Sequence, residues 1–285
     1  MERIMDSMVI KALNHQANQI RNHVLEMCIH TGGHIVSSFS SVEILVSLYH
    51  GNVLNIDPRN PDSEERDRFI LSKGHAETAL YAVLADCGFF PAEWIEKYYR
   101  KDDCRLGGHP DRKIPGVEIN SGALGHGLGI GAGIAWAAIK DGKTNLQFVL
   151  MGDAECMEGS VWEAAQFAAT HELNNLVAIV DWNRIGSLDF TKNYSKLEPF
   201  AEKWNAFGWD TQTIDGHSFE ELINTFQDAR SRTSVKPLLI IAETIKGKGV
   251  SFMENDPTWH VRAITDEIQI TQAREELRWR GDDNC

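Results

Sequence analysis

Two oxygen-bearing side chains follow two similar stretches of the chain. Asp153 comes just after Asn145-Leu-Gln-Phe-Val-Leu-Met151-Gly152, and Asn183, thirty residues on, just after Asn175-Leu-Val-Ala-Ile-Val180-Asp-Trp182. Both runs have the length and apolar content of buried strands. Between them lie residues 158–173, rich in Ala with apolar residues at helical spacing. Strand, helix, strand over this length is a βαβ unit, whose crossover carries both strands' carboxyl ends to one edge of a parallel sheet. Open α/β sheets bind ligands at that edge. A carboxylate and a carboxamide meeting there offer the hard oxygens that Mg²⁺ or Ca²⁺ prefers. So few protein ligands suit a metal–diphosphate, whose own oxygens complete the shell. A second reading of Asp153 stays open, as the cap of the helix that follows it.

The surrounding text resembles the transketolase family, in which Gly-Asp, a helix and then Asn form the thiamin diphosphate motif. The matching stretches are Thr31-Gly-Gly-His34, Leu71-Ser-Lys-Gly-His75, Gly107-Gly-His-Pro110, Gly122-Ala-Leu-Gly-His-Gly127, Met151-Gly-Asp-Ala-Glu-Cys-Met-Glu-Gly-Ser160 and Lys246-Gly-Lys-Gly-Val-Ser-Phe-Met-Glu-Asn255 with Trp259-His260. They fall in the family's order and cover roughly residues 15–260.

The resemblance implies a set of roles. Asp153, Asn183 and the backbone carbonyl of Ile185 would hold Mg²⁺ or Ca²⁺. Gly152 would let the backbone approach the phosphates, and Leu124 and Gly125 would lie against the cofactor. The family usually has glycine where this chain has Ala154; its methyl fits if φ is negative there and strains the loop if φ is positive. His126 stands where many transketolases have Gln, and either side chain can reach a phosphate oxygen. Glu158 matches a glutamate at the interface between partner domains; alternatively it complements the dipole of its helix. Lys73 and Lys246 would each pair with the diphosphate or stay solvated. His34, His75, His109 and His260 match the family's substrate-channel histidines, which bond the hydroxyls and carbonyl oxygen of a ketose and shuttle protons. His15, His23, His30, His50, His171 and His217 read as surface or helix-face residues. After Trp259-His260 the family continues with Gly and a Pro-containing stretch; this chain has Val261-Arg-Ala-Ile-Thr265.

Full-length transketolases join a diphosphate-binding domain, a pyrimidine-binding domain and a smaller C-terminal domain, and this chain resembles the first alone. The implied protein is the N-terminal subunit of a split transketolase. Its partner would be a C-terminal subunit that carries the pyrimidine-binding domain and the cofactor-activating glutamate, in an α2β2 assembly. The implied reaction moves a two-carbon ketol unit from a ketose, phosphorylated or not, to an aldose. Its alternatives are a specialised ketol-transferring enzyme, the α subunit of a thiamin-dependent 2-oxoacid dehydrogenase, and a cofactor-binding subunit without turnover. The histidine blocks count against the dehydrogenase, and retention of Asp153, Asn183 and the four histidines counts against the inactive scaffold.

The elements that must position these groups can be read along the chain. Residues 1–30 read as an amphipathic helix, with Ile10, Leu13, Ala17, Ile20, Val24 and Met27 at spacings of three and four. Further helices are expected over 40–49, 77–87, 92–99 and 218–230, with one ending near Trp204–Trp209. Strands are expected at 68–71, 210–214 and 237–242, and loop over 101–127. Residues 127–139 alternate Gly and Ala with apolar residues. At about 1 kcal/mol per Gly, such a helix makes sense only against another backbone, either the sheet or a partner. Trp162 and Trp182 read as core or interface aromatics.

The fold class is therefore α/β, a mainly parallel sheet with helices on both faces, in one thiamin diphosphate-binding domain over residues 1–285. The chain of 285 residues is 42% hydrophobic with a net charge of −13. It lacks the basic block that nucleic-acid binding requires, and no apolar run reaches the ~20 residues of a membrane span. The five cysteines show no pairing pattern and read as free thiols of a reducing, cytoplasmic compartment. Cys156, close to the candidate site, reads as small-residue filler.

Overall fold

A computed structural model describes residues 5–29, 31–98 and 103–278. Five strands form one sheet: β1 Arg68–Leu71, β2 Gln147–Gly152, β3 Leu176–Trp182, β4 Asp210–Asp215 and β5 Leu238–Glu243. Their order is β1-β2-β3-β5-β4, and every pairing is parallel. All five carboxyl ends therefore lie along one edge, with Gly152 opposite Asp181 and Trp182 opposite Glu243.

The apolar runs are continuous because each central strand is buried on both faces. Successive residues alternate between two cores, as a period of two requires. Phe148, Leu150, Val177, Ile179, Leu238 and Ile240 face one core, while Val149, Met151, Ala178, Val180, Leu239 and Ile241 face the other. On the first side lie α1 Ser7–Cys28, α2 Ile35–Phe39, α3 Val42–His50, α4 Glu77–Asp86 and α9 Phe219–Ser231. On the second lie α6 Gly127–Lys140, α7 Gly159–Thr170 and α8 Phe200–Ala206. Two short peripheral helices are α5 Glu93–Glu96 and α10 Glu267–Glu276.

The glycine-rich helix resolves into two sides. A Cβ on Gly131 would fall 2.5 Å from Val149 Cγ2, so α6 lies directly on β2. Gly129 and Gly133 point away, and a Cβ on Gly133 would meet nothing within 4 Å. The helix expected over 40–49 is α3, and a short helix the sequence does not announce, α2, precedes it, with Ser40 and Ser41 between them tied to the buried Asp181. The helix expected over 92–99 is the single turn α5; Tyr99 lies outside the described residues, as do His30, Cys285 and the first four residues of the expected 1–30 helix. The sequence reading does not anticipate α10, whose inward residues are only Ile270 and Ala273. Cys28, Cys87, Cys104 and Cys156 are free. Among the described residues, no helix is long and apolar enough to cross a membrane.

Candidate functional site

The carboxyl edge opens onto a cavity of about 360 Å³. It is lined by side chains from the ends of β1, β2 and β3 and from the loops around His34, His109 and His260. A larger cavity of about 590 Å³ lies beyond Asn183, between Trp182, Phe190, Lys196 and Thr244; it contains no histidine and one carboxylate, Glu198.

Asp153 is buried at the end of β2. One carboxylate oxygen accepts the Ala154 N–H at 2.6 Å, and the other accepts the Arg184 N–H from the loop after β3. Asp153 thus caps the turn that follows it and also bridges two strand ends, so the two readings from sequence are compatible. No cationic side chain among the described residues bonds it. Burial, and next the nearby Asp181 charge, push its carboxyl up to about 6. Asn183 Oδ1 accepts the Ile185 N–H at 3.1 Å, and the Ile185 carbonyl accepts from Lys246 Nζ at 2.8 Å. A carboxylate, a carboxamide and a carbonyl thus line one cavity, and the carbonyl already binds a cationic group. No cluster of three His, Cys, Asp or Glu suited to a metal occurs among the described residues, so a cation here would draw on this mixed oxygen set.

A Cβ on Gly152 would meet no protein atom closer than Glu155 Cβ, 4.0 Å away. Internal packing therefore does not demand glycine there; the missing side chain leaves room on the cavity side. Ala154 begins a 3₁₀ turn with φ outside the positive range, so its methyl strains nothing.

Three imidazoles share the far wall. Ring centroids of His34 and His75 are 4.9 Å apart, His34 and His260 5.3 Å, and His75 and His260 5.8 Å. Burial first, then neighbouring positive groups, lowers all three: His34 to about 4, His260 to about 3 and His75 well below its usual value. They are neutral at physiological pH, each able to donate from one nitrogen and accept at the other. Lys246 Nζ lies 2.9 Å from His260 Nδ1. Burial lowers this lysine to about 8, so it remains an ammonium at neutral pH. An ammonium can only donate, so His260 accepts at Nδ1 and carries its proton on Nε2. His109 also lines the cavity, from an exposed position at its mouth.

Other sequence expectations fall differently. Leu124 and Glu158 rim the cavity and are exposed; no side-chain cap bond from Glu158 is made to α7. Gly125 is buried behind that rim, where a Cβ would fall 2.5 Å from Glu158 Cβ. His126 does not line the cavity: it sits at the N-cap of α6 with its ring exposed. Neither lysine is solvated. Lys73 is buried and bonds Asp181, the Ser37 carbonyl at 3.0 Å and Ser41 Oγ at 3.1 Å. Burial alone would raise the Asp181 carboxyl, but Lys73, Ser40 and Thr244 hold it below the usual range. His217 is no surface residue either. Its Nε2 accepts the Ile245 N–H at 2.8 Å, which leaves Nδ1 to donate to Glu43 at 2.9 Å.

Glu155 is the residue the sequence reading missed. Its carboxylate accepts from Ser72 Oγ, the Gly125 N–H at 2.9 Å and the Gly152 N–H at 3.0 Å. One buried side chain thereby ties the end of β1, the 122–127 loop and the end of β2. Its position two residues after Asp153 is the only signal, and that signal has no periodicity. The segment after His260 doubles back onto the first histidine loop: Ile29 bridges Ile264, a Cβ on Gly32 would meet Ala263 Cβ at 3.5 Å, and Arg262 lies over the Trp259 ring at 4.4 Å.

Comparison with known proteins gives a consistent picture. Residues 14–284 match the family model described as transketolase, thiamine diphosphate binding domain. The chain is 41% identical over 258 residues to the 6-deoxy-6-sulfo-D-fructose transketolase subunit SqwG of Clostridium sp. (strain MSTE9), covering 90% of this chain and 93% of that one. It is 41% identical over 270 residues to one subunit of the apulose-4-phosphate transketolase of Actinobacillus succinogenes, covering 93% and 96%. Human transketolase is 39% identical over 263 residues, 91% of this chain but 41% of that protein. The crystal structure of Campylobacter jejuni transketolase superposes with a TM-score of 0.87 at 30% identity, over 98% of this chain and 44% of that one. The chain thus spans less than half the length of these two longer relatives.

Proposed function

The chain belongs to the transketolase family, and from that premise we propose that it is one diphosphate-binding domain acting as the N-terminal subunit of a two-chain transketolase. The observation that carries this reading is the convergence of Asp153, Asn183 and the Ile185 carbonyl with three neutral imidazoles in one cavity. The donor set fits a magnesium or calcium ion: three hard oxygens, one of them from a buried carboxylate that no cationic side chain among the described residues bonds. The space left by Gly152 fits a diphosphate approaching the backbone.

Thiamin diphosphate, when bound, supplies the nucleophilic carbon and the electron sink for the two-carbon unit. The chain's own residues do the rest. Asp153, Asn183 and Ile185 hold the ion, and Lys246 adds positive charge beside it. Lys73, already committed to Asp181, holds β1 and β3 together rather than contacting phosphate. His260 offers Nε2–H to a sugar oxygen, with Lys246 fixing that tautomer, while His34, His75 and His109 bond the remaining hydroxyls. Being neutral, the imidazoles of His34, His75 and His260 can take or give a proton without first losing one to solvent. The two similar subunit relatives are named for an apulose phosphate and a sulfonated fructose, which favours a specialised ketose donor with an anionic terminus.

The site also lacks one wall. Leu124, Met157 and Glu158 are exposed at its rim, and α6 and α7 start immediately beyond them. Those helices expose Ile130 (40%), Trp136 (40%) and Phe167 (38%), and Trp136 and Phe167 meet edge to face. A C-terminal partner subunit bearing the pyrimidine-binding domain would cover these side chains and close the cavity, in an α2β2 assembly within the reducing cytoplasm. Mixing the purified chain with its partner and following ketol transfer tests this reading. Transfer by the mixture and none by either chain alone is expected; transfer by this chain alone contradicts it.

A further inference from the structure

His109 is the only one of the four cavity histidines carried by a long irregular segment, since residues 103–121 contain neither helix nor strand. Such a segment holds its shape through particular bonds to its backbone. The principal buried one comes from Tyr81, which is fully buried in α4. Its hydroxyl donates to the His109 carbonyl at 2.8 Å and lies 3.0 Å from the Gly107 carbonyl. A buried phenol needs such a partner, and here the partner is the loop that carries a cavity residue. The imidazole of His109 packs over Gly122, where a Cβ would fall 2.7 Å from its Cδ2. Helix α4 continues directly from the 3₁₀ turn Gly74–Ala76 that holds His75, and carries the strut for His109 one turn further along.

We propose that Tyr81 is a positioning residue that sets His109 at the cavity mouth, and that α4 thereby fixes the spacing between the two histidines. This inference rests on the ketol-transfer reading for its kinetic consequence but not for its structural one. In the assembled two-chain protein, Tyr81→Phe should raise KM for the ketose donor by about three- to tenfold, the scale of one lost hydrogen bond. Both kcat and thiamin diphosphate affinity should stay within about twofold of wild type, since neither the ion nor the diphosphate touches this strut. In a His109→Ala background, Tyr81→Phe should add nothing further, because the side chain it positions is gone. The backbone carbonyl carbons of Gly107 and His109, the groups that face the hydroxyl, should change NMR shift in Tyr81→Phe.

Three results would overturn the proposal: an unchanged KM in Tyr81→Phe where His109→Ala is impaired, an equal penalty in both backgrounds, or a loss of cofactor affinity. If the assembled wild type transferred no ketol unit, the functional reading would fall by itself. The carbonyl-carbon shifts of Gly107 and His109 would still decide the strut, unchanged shifts refuting it and displaced shifts supporting it.

Discussion

Helices α4 and α6 are both built almost wholly of small and apolar residues, yet the chain treats them differently. All of α4 from Glu77 to Ala85 is buried, enclosed by α1, α2, α3 and α5. In α6 only Gly127, Leu128, Gly131, Ala132, Ala135 and Ala138 are buried; Ile130, Trp136 and Ile139 face outward. A helix apolar all round belongs inside something. On one face of the sheet the helices enclose α4 completely, whereas on the other α6 presents an apolar surface to the outside and starts at the cavity rim. The difference teaches that the polypeptide completes its core on one side only, and that the unfinished side adjoins the site.

The same kind of substitution on the two helices should break this comparison or confirm it. Leu80→Glu puts an unpaired charge into α4 and should cost more than about 4 kcal/mol, unfolding much of the sample. Ile130→Glu on α6 should leave the isolated chain within about 0.5 kcal/mol of wild type but abolish co-elution with the partner in size-exclusion chromatography. Equal destabilisation by both would mean that α6 is no more open than α4.

The finished side should also carry the pH dependence. Burial pushes Glu77 up to about 8, with a bond to Tyr98 opposing. Its folded form prefers the proton, so its contribution is fully present below the unfolded value of 4.5 and is lost as pH rises through 8. Glu43 behaves oppositely: burial would raise it, but Arg21 at 2.6 Å and His217 hold it at about 2. Its contribution is present above 4.5 and is lost as pH falls towards 2. Thermal melts of Glu77→Gln should lose part of the alkaline decline, and those of Glu43→Gln part of the acid decline.

The smallest effect is a change of sign. Gly133→Ala fills open space on an exposed helix and should stabilise the isolated chain by up to about 1 kcal/mol. If a partner backbone packs there, the added methyl should weaken assembly instead. A variant that both stabilises the chain and assembles as tightly as wild type would place the interface elsewhere.

Much of this was legible from residue order. Asp153 and Asn183 stand out because a parallel sheet turns sequence spacing into shared position at one edge, and the strand runs marking that edge are continuous apolar blocks. The four histidines stand out through their glycine-flanked loops. What escaped depends on partners distant in sequence. Lys73 reads like Lys246, both being lysines in glycine-rich loops, and only the fold shows that Asp181 claims the first. His217 looks like a turn residue until Glu43 and Ile245 are seen on either side of it. Glu155 acts through two backbone N–H groups and a serine, which leave no periodic trace. His126 matches a family position by alignment of letters, whereas at the start of α6 it is exposed and is not among the residues lining the cavity.

The central claim is that Asp153 and Asn183 clasp a divalent ion that anchors thiamin diphosphate. The most direct measurement is calorimetric titration of the assembled protein with magnesium and thiamin diphosphate, comparing wild type with Asp153→Asn. The account predicts at least about a tenfold loss of affinity, the scale of one lost charge-assisted contact. It also predicts that wild-type affinity falls as pH drops below about 6, where the buried carboxyl takes up a proton. Unchanged affinity in Asp153→Asn would contradict it.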